Sequence, residues 1–103
     1  MNPEVLILYS RKGCCLCQTL EKKLSSIRLE NLNPSIALSI VDIDSKKVSL
    51  GIQKKYTNEV PVIVLDSTRL LKKIELPRVS PRLKEDMLLS WLQKNLNILY
   101  KTA

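Results

Sequence analysis

Cys14 and Cys17 stand three residues apart in the run Cys14-Cys15-Leu16-Cys17, where residue type and spacing together allow redox chemistry. On the first turn of a helix, positions i and i+3 are neighbours, so two such sulfurs close a disulfide with little backbone movement. A helix starting near Cys14 would also activate the first thiol, because unpaired backbone N–H groups and the positive end of the helix dipole favour thiolate. An ordinary thiol of pKa about 8.5 is a few per cent thiolate at pH 7, and lowering it to about 7 corresponds to about 2 kcal/mol. A helix N-terminus supplies about 0.3 to 1 kcal/mol at an exposed site and up to about 2 when partly buried, so N–H to sulfur hydrogen bonds are expected to add the rest. Arg11 and Lys12 bring cationic charge close by, weakened by water. The chemistry expected is thiol–disulfide exchange, with Cys14 attacking a disulfide and Cys17, deeper in the helix, resolving the mixed disulfide.

Other uses of the same cysteines stay open. They would serve as buried structural thiols, or as ligands of a metal or iron–sulfur cluster shared across a dimer. A zinc site within one chain is disfavoured, since such a site wants four ligands and the chain has three cysteines and no histidine. A non-catalytic interaction module would instead bind partners through its basic surface or the Val60-Pro61 segment. Cys15 is read as a bystander, with a competing disulfide or a regulatory modification as the alternatives.

The elements that must hold the dithiol can be read on either side of it. Val5 to Tyr9 is a continuous apolar run, as expected of a central strand covered on both faces. After Lys12-Gly13, Leu16, Leu20, Leu24 and Ile27 recur at helical spacing, and Asn33-Pro34 is expected to break the helix. Ile36 to Ile43 returns to strand character. Asp44 or Ser45 is expected to cap a short second helix carrying Val48, Ile52 and Tyr56. Val60 to Leu65 reads as a third strand, Asp66-Ser67 as a turn, and Arg69 to Ile74 as an edge partner bearing lysines. Ser80-Pro81 is expected to open the last helix, with Leu83, Met87, Leu88, Trp91 and Leu92 on its apolar face. The order is β-α-β-α-β-β-α, an α/β fold with a right-handed first crossover and a closing hairpin.

Composition bounds the rest. A chain of 103 residues with 45% hydrophobic content suits one domain over residues 1–103 with a single core. An odd cysteine count speaks against a secreted disulfide framework. The segment from Met1 to Glu4 has no basic region and the following apolar run is short, so neither a leader nor a membrane span is expected, and a cytoplasmic setting follows. The net charge of +7 is spread along the chain with four aromatics, one Trp and three Tyr, so a solvated basic surface is favoured over a specific nucleic-acid site.

The segment Leu6 to Cys17 resembles the active-site segment of glutaredoxins, particularly glutaredoxin-like proteins with a Cys-x-Leu-Cys motif. The likeness covers nearly the whole chain: Val41-Asp42-Ile43-Asp44 is similar to the family's second strand, Glu59-Val60-Pro61-Val62 to the segment holding its cis-proline, and Arg78 to Arg82 to the lead into its last helix. The resemblance implies a thioredoxin-like four-stranded mixed sheet flanked by helices. It implies a nucleophile at Cys14, a resolving thiol at Cys17, and a cis-proline at Pro61 facing the dithiol, with the Val60 backbone pairing with an extended substrate. It further implies a monomer acting on protein or low-molecular-weight disulfides without a bound cofactor. Glutathione is the family's usual reductant, but the glycine pair and aspartate that hold its γ-glutamyl group are absent between Leu65 and Ser80. Cys15 and Leu16 also replace the proline and tyrosine between the cysteines. Arg78, Arg82 and the helix start at Ser80 are the candidate replacement for the anion site.

Overall fold

Val5 to Tyr9 lie inside a strand, β1 (Glu4–Ser10), whose two faces are both covered. The computed structural model describes residues 4–101; Met1 to Pro3, where no leader is expected, fall outside them. β1 runs parallel to β2 (Ile36–Asp42), with Leu6 opposite Leu38, and antiparallel to β3 (Val62–Ser67), with Leu6 opposite Leu65. β4 (Lys72–Glu75) pairs antiparallel outside β3, so the sheet order is β2-β1-β3-β4. The helices are α1 (Cys15–Ser26), α2 (Leu50–Tyr56) and α3 (Glu85–Lys101), in the β-α-β-α-β-β-α order of a thioredoxin-like α/β fold.

Strand alternation explains why the apolar run is continuous. Leu6 and Leu8, with Ile63 and Leu65, face Leu20 and Leu24 of α1 and Leu88, Leu92 and Leu96 of α3. Ile7 and Tyr9, with Val62 and Val64, face Ile43 and the α2 residues Ile52 and Tyr56. Every residue of the first face named here is at most 4% exposed, so the sheet grips the helix that carries the dithiol. Trp91 packs against this larger core, as its position on the apolar face led one to expect. No helix among the described residues is long and apolar enough to cross a membrane.

Several boundaries differ from the expectations, each for a local reason. α1 stops at Ser26, where the N–H of Ile27 bonds back to Lys23 O, and a short 3-10 turn (Leu29–Asn31) intervenes before the cis bond at Asn33-Pro34. α2 starts late. Asp42 Oδ1 accepts the Asp44 N–H at 2.9 Å, Asp44 turns its carboxylate to Arg11, and Ser49 becomes the cap through the Ile52 N–H. β3 continues through Asp66 and Ser67, where a turn was expected; the turn follows at Thr68 to Leu71. α3 begins at Glu85 and not at Ser80-Pro81, and Met87 is 54% exposed instead of facing the core.

The displaced turn after β3 depends on Glu4, which is 2% exposed. Its carboxylate accepts the Thr68 N–H at 2.8 Å, the Arg69 N–H at 3.2 Å and the Thr68 hydroxyl at 3.2 Å. Burial raises its pKa, but the bonds from Arg69, Ser67 and Thr68 together outweigh burial and hold it below the usual carboxylate value. A carboxylate depressed in the folded state stabilises above its unfolded pKa, and that contribution is lost as pH falls through the folded one. Glu4→Gln is therefore expected to lower the urea midpoint at pH 7 and to flatten its decline between pH 5 and pH 2. Equal midpoints for both proteins at pH 7 would contradict this role.

Candidate active site

The turn that delivers the dithiol is built on Gly13, at φ +80. Cys14 N–H closes the turn on Arg11 O at 3.3 Å, and Cys14 then caps α1 in extended backbone conformation, φ −89 and ψ 110. Its sulfur accepts the Cys17 N–H at 3.2 Å. The cysteine thus takes the place that Ser or Asp takes at ordinary helix starts, and the bond it receives favours a sulfur anion. The first turn of α1 has no acidic residue to offset the dipole. Cys14 is half-buried and Cys17 fully buried; the two form a disulfide with Cα atoms 5.2 Å apart. Cys15 is a free, exposed thiol.

No side chain comes within 4 Å of where a Cβ on Gly13 would lie, so the only obstacle to Gly13→Ala is its left-handed backbone. The substitution is expected to cost about 1 to 2 kcal/mol in a denaturant titration. A loss under about 0.3 kcal/mol would mean that the turn does not need its positive φ.

Arg11 does not serve as a cation beside the sulfur. Its guanidinium bonds both carboxylate oxygens of Asp44, at 2.8 and 3.1 Å, and both the carbonyl and hydroxyl of Thr57, at 2.8 and 2.9 Å. It therefore ties the dithiol turn to the end of α2, three residues before Val60. Nothing in the local sequence around Arg11 announces partners 33 and 46 positions away.

The Val60-Pro61 peptide bond is cis, as the family resemblance implies. Val60 N–H bonds Tyr56 O at 3.2 Å, which leaves its carbonyl as the backbone group for further pairing. Val60 and Pro61 line a groove of about 240 Å³ together with Leu20, Val79 and Leu16, the residue that stands between Cys15 and Cys17. Leu16 was expected on the helix's core stripe; it is 55% exposed and lines the groove instead. Burial first, then the neighbouring Glu75 and Tyr9, push the pKa of the Tyr56 hydroxyl up to about 12, so it stays neutral.

Two members of the expected replacement anion site have other partners or another conformation. Arg78 pairs with Glu59, and the segment at Ser80 is loop because Lys23 Nζ binds the carbonyls of Pro81 and Leu83, the latter at 2.8 Å. The true start of α3 has Glu85 and Asp86 in its first turn, which occupy the positive end of its dipole.

With a dithiol at the cap of α1 and a cis-proline before β3, comparison with known proteins becomes informative. The family model described as "Glutaredoxin-like domain (DUF836)" matches residues 5–93. The chain belongs to that family. The glutaredoxin-like match spans β1 to the middle of α3 and so contains every residue of the groove and the dithiol. A solved structure of a malarial protein aligns with TM-score 0.58 over 92% of this chain and 99% of its own, at 20% identity, a likeness of fold. Among curated proteins no sequence matches this glutaredoxin-like chain.

Proposed function

We propose that the protein is a thiol–disulfide oxidoreductase in which Cys14 is the nucleophile and Cys17 the resolving thiol. The observation that carries this reading is the half-buried Cys14 at the cap of α1, its sulfur accepting the Cys17 N–H, with the buried Cys17 bonded to it. In the reduced protein the Cys14 thiolate attacks one sulfur of a substrate disulfide, and the other sulfur leaves as thiolate and takes a proton from water. Cys17, as thiolate, then attacks the Cys14 sulfur and expels the second substrate thiolate. The substrate gains two electrons and the dithiol becomes the disulfide, which a thiol reductant restores. During the mixed-disulfide stage the free carbonyl of Val60 and the flat face of Pro61 receive the substrate backbone.

Reduction of insulin followed by turbidity tests the proposal, with dithiothreitol, glutathione and a thioredoxin reductase system as parallel reductants. The protein is expected to accelerate precipitation above the reductant alone in at least the dithiol arm. No acceleration in any arm would overturn the reading. A cytoplasmic monomer is the setting in which such a dithiol stays reduced, and size-exclusion chromatography of the reduced protein tests the monomer.

A further inference from the structure

The groove reached by Leu16 is walled by Leu16, Leu20, Val60, Pro61, Leu76 and Val79, and its one lining cation among the described residues is already paired. Arg78 is paired with Glu59, and Glu75 lies close enough to Tyr56 to raise the pKa of its hydroxyl. Among the described residues lining it, no unpaired cation is left to receive a carboxylate. Its volume of about 240 Å³ falls below that of sites for drug-sized ligands and suits one large side chain. Its wall includes Leu16, two residues after Cys14 and one before Cys17, together with Pro61 and Val79, which puts the groove within reach of a residue flanking a cysteine bonded to Cys14. An apolar side chain exposed by 55% at Leu16 gains from being covered only if the covering group is itself apolar.

Resting on the reading of Cys14 as nucleophile, we infer that this groove selects polypeptide disulfides whose cysteine is flanked by an aliphatic or aromatic residue. Covering part of a leucine side chain corresponds to about a tenfold preference over a charged residue at the same place. Glutathione, whose cysteine is flanked by a γ-glutamyl group and a C-terminal glycine, offers the groove no such side chain, so it is expected to be the poorer substrate. The covalent step is unchanged: Cys14 sulfur bonds the peptide cysteine sulfur while the activating thiolate departs.

The test uses the reduced full chain carrying Cys15→Ser and Cys17→Ser, so that Cys14 is its one thiol, mixed with short peptides whose one cysteine is activated by 5-thio-2-nitrobenzoate. Release of that coloured thiolate gives the rate of attack. Peptides place Leu, Phe, Glu or Lys on either side of the cysteine, glutathione activated in the same way is included, and activated mercaptoethanol gives the reference rate within each variant. Leu and Phe peptides are expected to react about tenfold faster than Glu and Lys peptides and than glutathione. Leu16→Glu, at an exposed position, and Val79→Glu are each expected to abolish that preference relative to the reference. Equal peptide rates alongside a normal mercaptoethanol rate overturn the inference while leaving the nucleophile in place. Loss of the preference in Glu75→Gln also overturns it, since selection would then rest on charge. Failure of Cys14 to react with any disulfide, mercaptoethanol included, overturns the oxidoreductase reading itself.

Discussion

Cys17→Ser is expected to halt exchange at the mixed disulfide, leaving a substrate-mass adduct on Cys14 that mass spectrometry detects and dithiothreitol removes. The expectation follows from geometry. Cys17 is the sulfur whose backbone N–H meets the Cys14 sulfur at 3.2 Å, and it lies buried, where water and external thiols do not compete with it. Cys14→Ser keeps the cap but replaces the nucleophile, so neither adduct nor turnover is expected, a fall of about three orders of magnitude or more. Cys15→Ser should leave turnover nearly intact, because Cys15 lies outside the disulfide and is exposed. Turnover persisting in Cys14→Ser, or an adduct on Cys15 alone, would refute the assignment of roles.

Leu24→Ala is expected to have the largest effect on stability. Leu24 is 1% exposed and joins α1 to the core under the sheet. Removing a buried leucine side chain costs about 2 to 5 kcal/mol, against a total stability of about 5 to 15 kcal/mol for a domain of ordinary size. Because α1 carries the dithiol, the loss also appears at the sulfurs. If opening of the domain limits access to buried Cys17 in the reduced protein, its alkylation in Leu24→Ala should rise about thirtyfold or more. A urea midpoint within experimental error of the parent protein would show that α1 is not held through this residue.

Much of this site could be read in the chain because its signals are local. The Val5 to Tyr9 run, the cysteine spacing, the Leu20 and Leu24 stripe and the order of elements along the chain follow from alternation and helical periodicity over a few residues. The misread boundaries are those where a side chain far along the chain decides. Ser80-Pro81 has the composition of a helix start, yet Lys23 holds the carbonyls of Pro81 and Leu83 and keeps the segment as loop. The acidic pair Glu85 and Asp86 was the usable signal there. Asp44 has the composition of a cap but is bound by Arg11, and the turn expected at Asp66-Ser67 moves outward because Glu4 organises Thr68 and Arg69. Leu16 fits the apolar stripe by spacing alone, and only the open groove above it explains why it is not buried.

The exposed Cys15 has a practical consequence. Once Cys14 and Cys17 are joined, Cys15 is the one remaining thiol among the chain's three cysteines. A maleimide dye added to the oxidised protein would attach there alone, one residue from the reacting sulfur. Gel shift with a heavy maleimide would then count redox state directly: one tag on the oxidised chain and three on the fully reduced, denatured one. The adjacent dye would further register disulfide opening as a change in its emission, making the chain its own reporter.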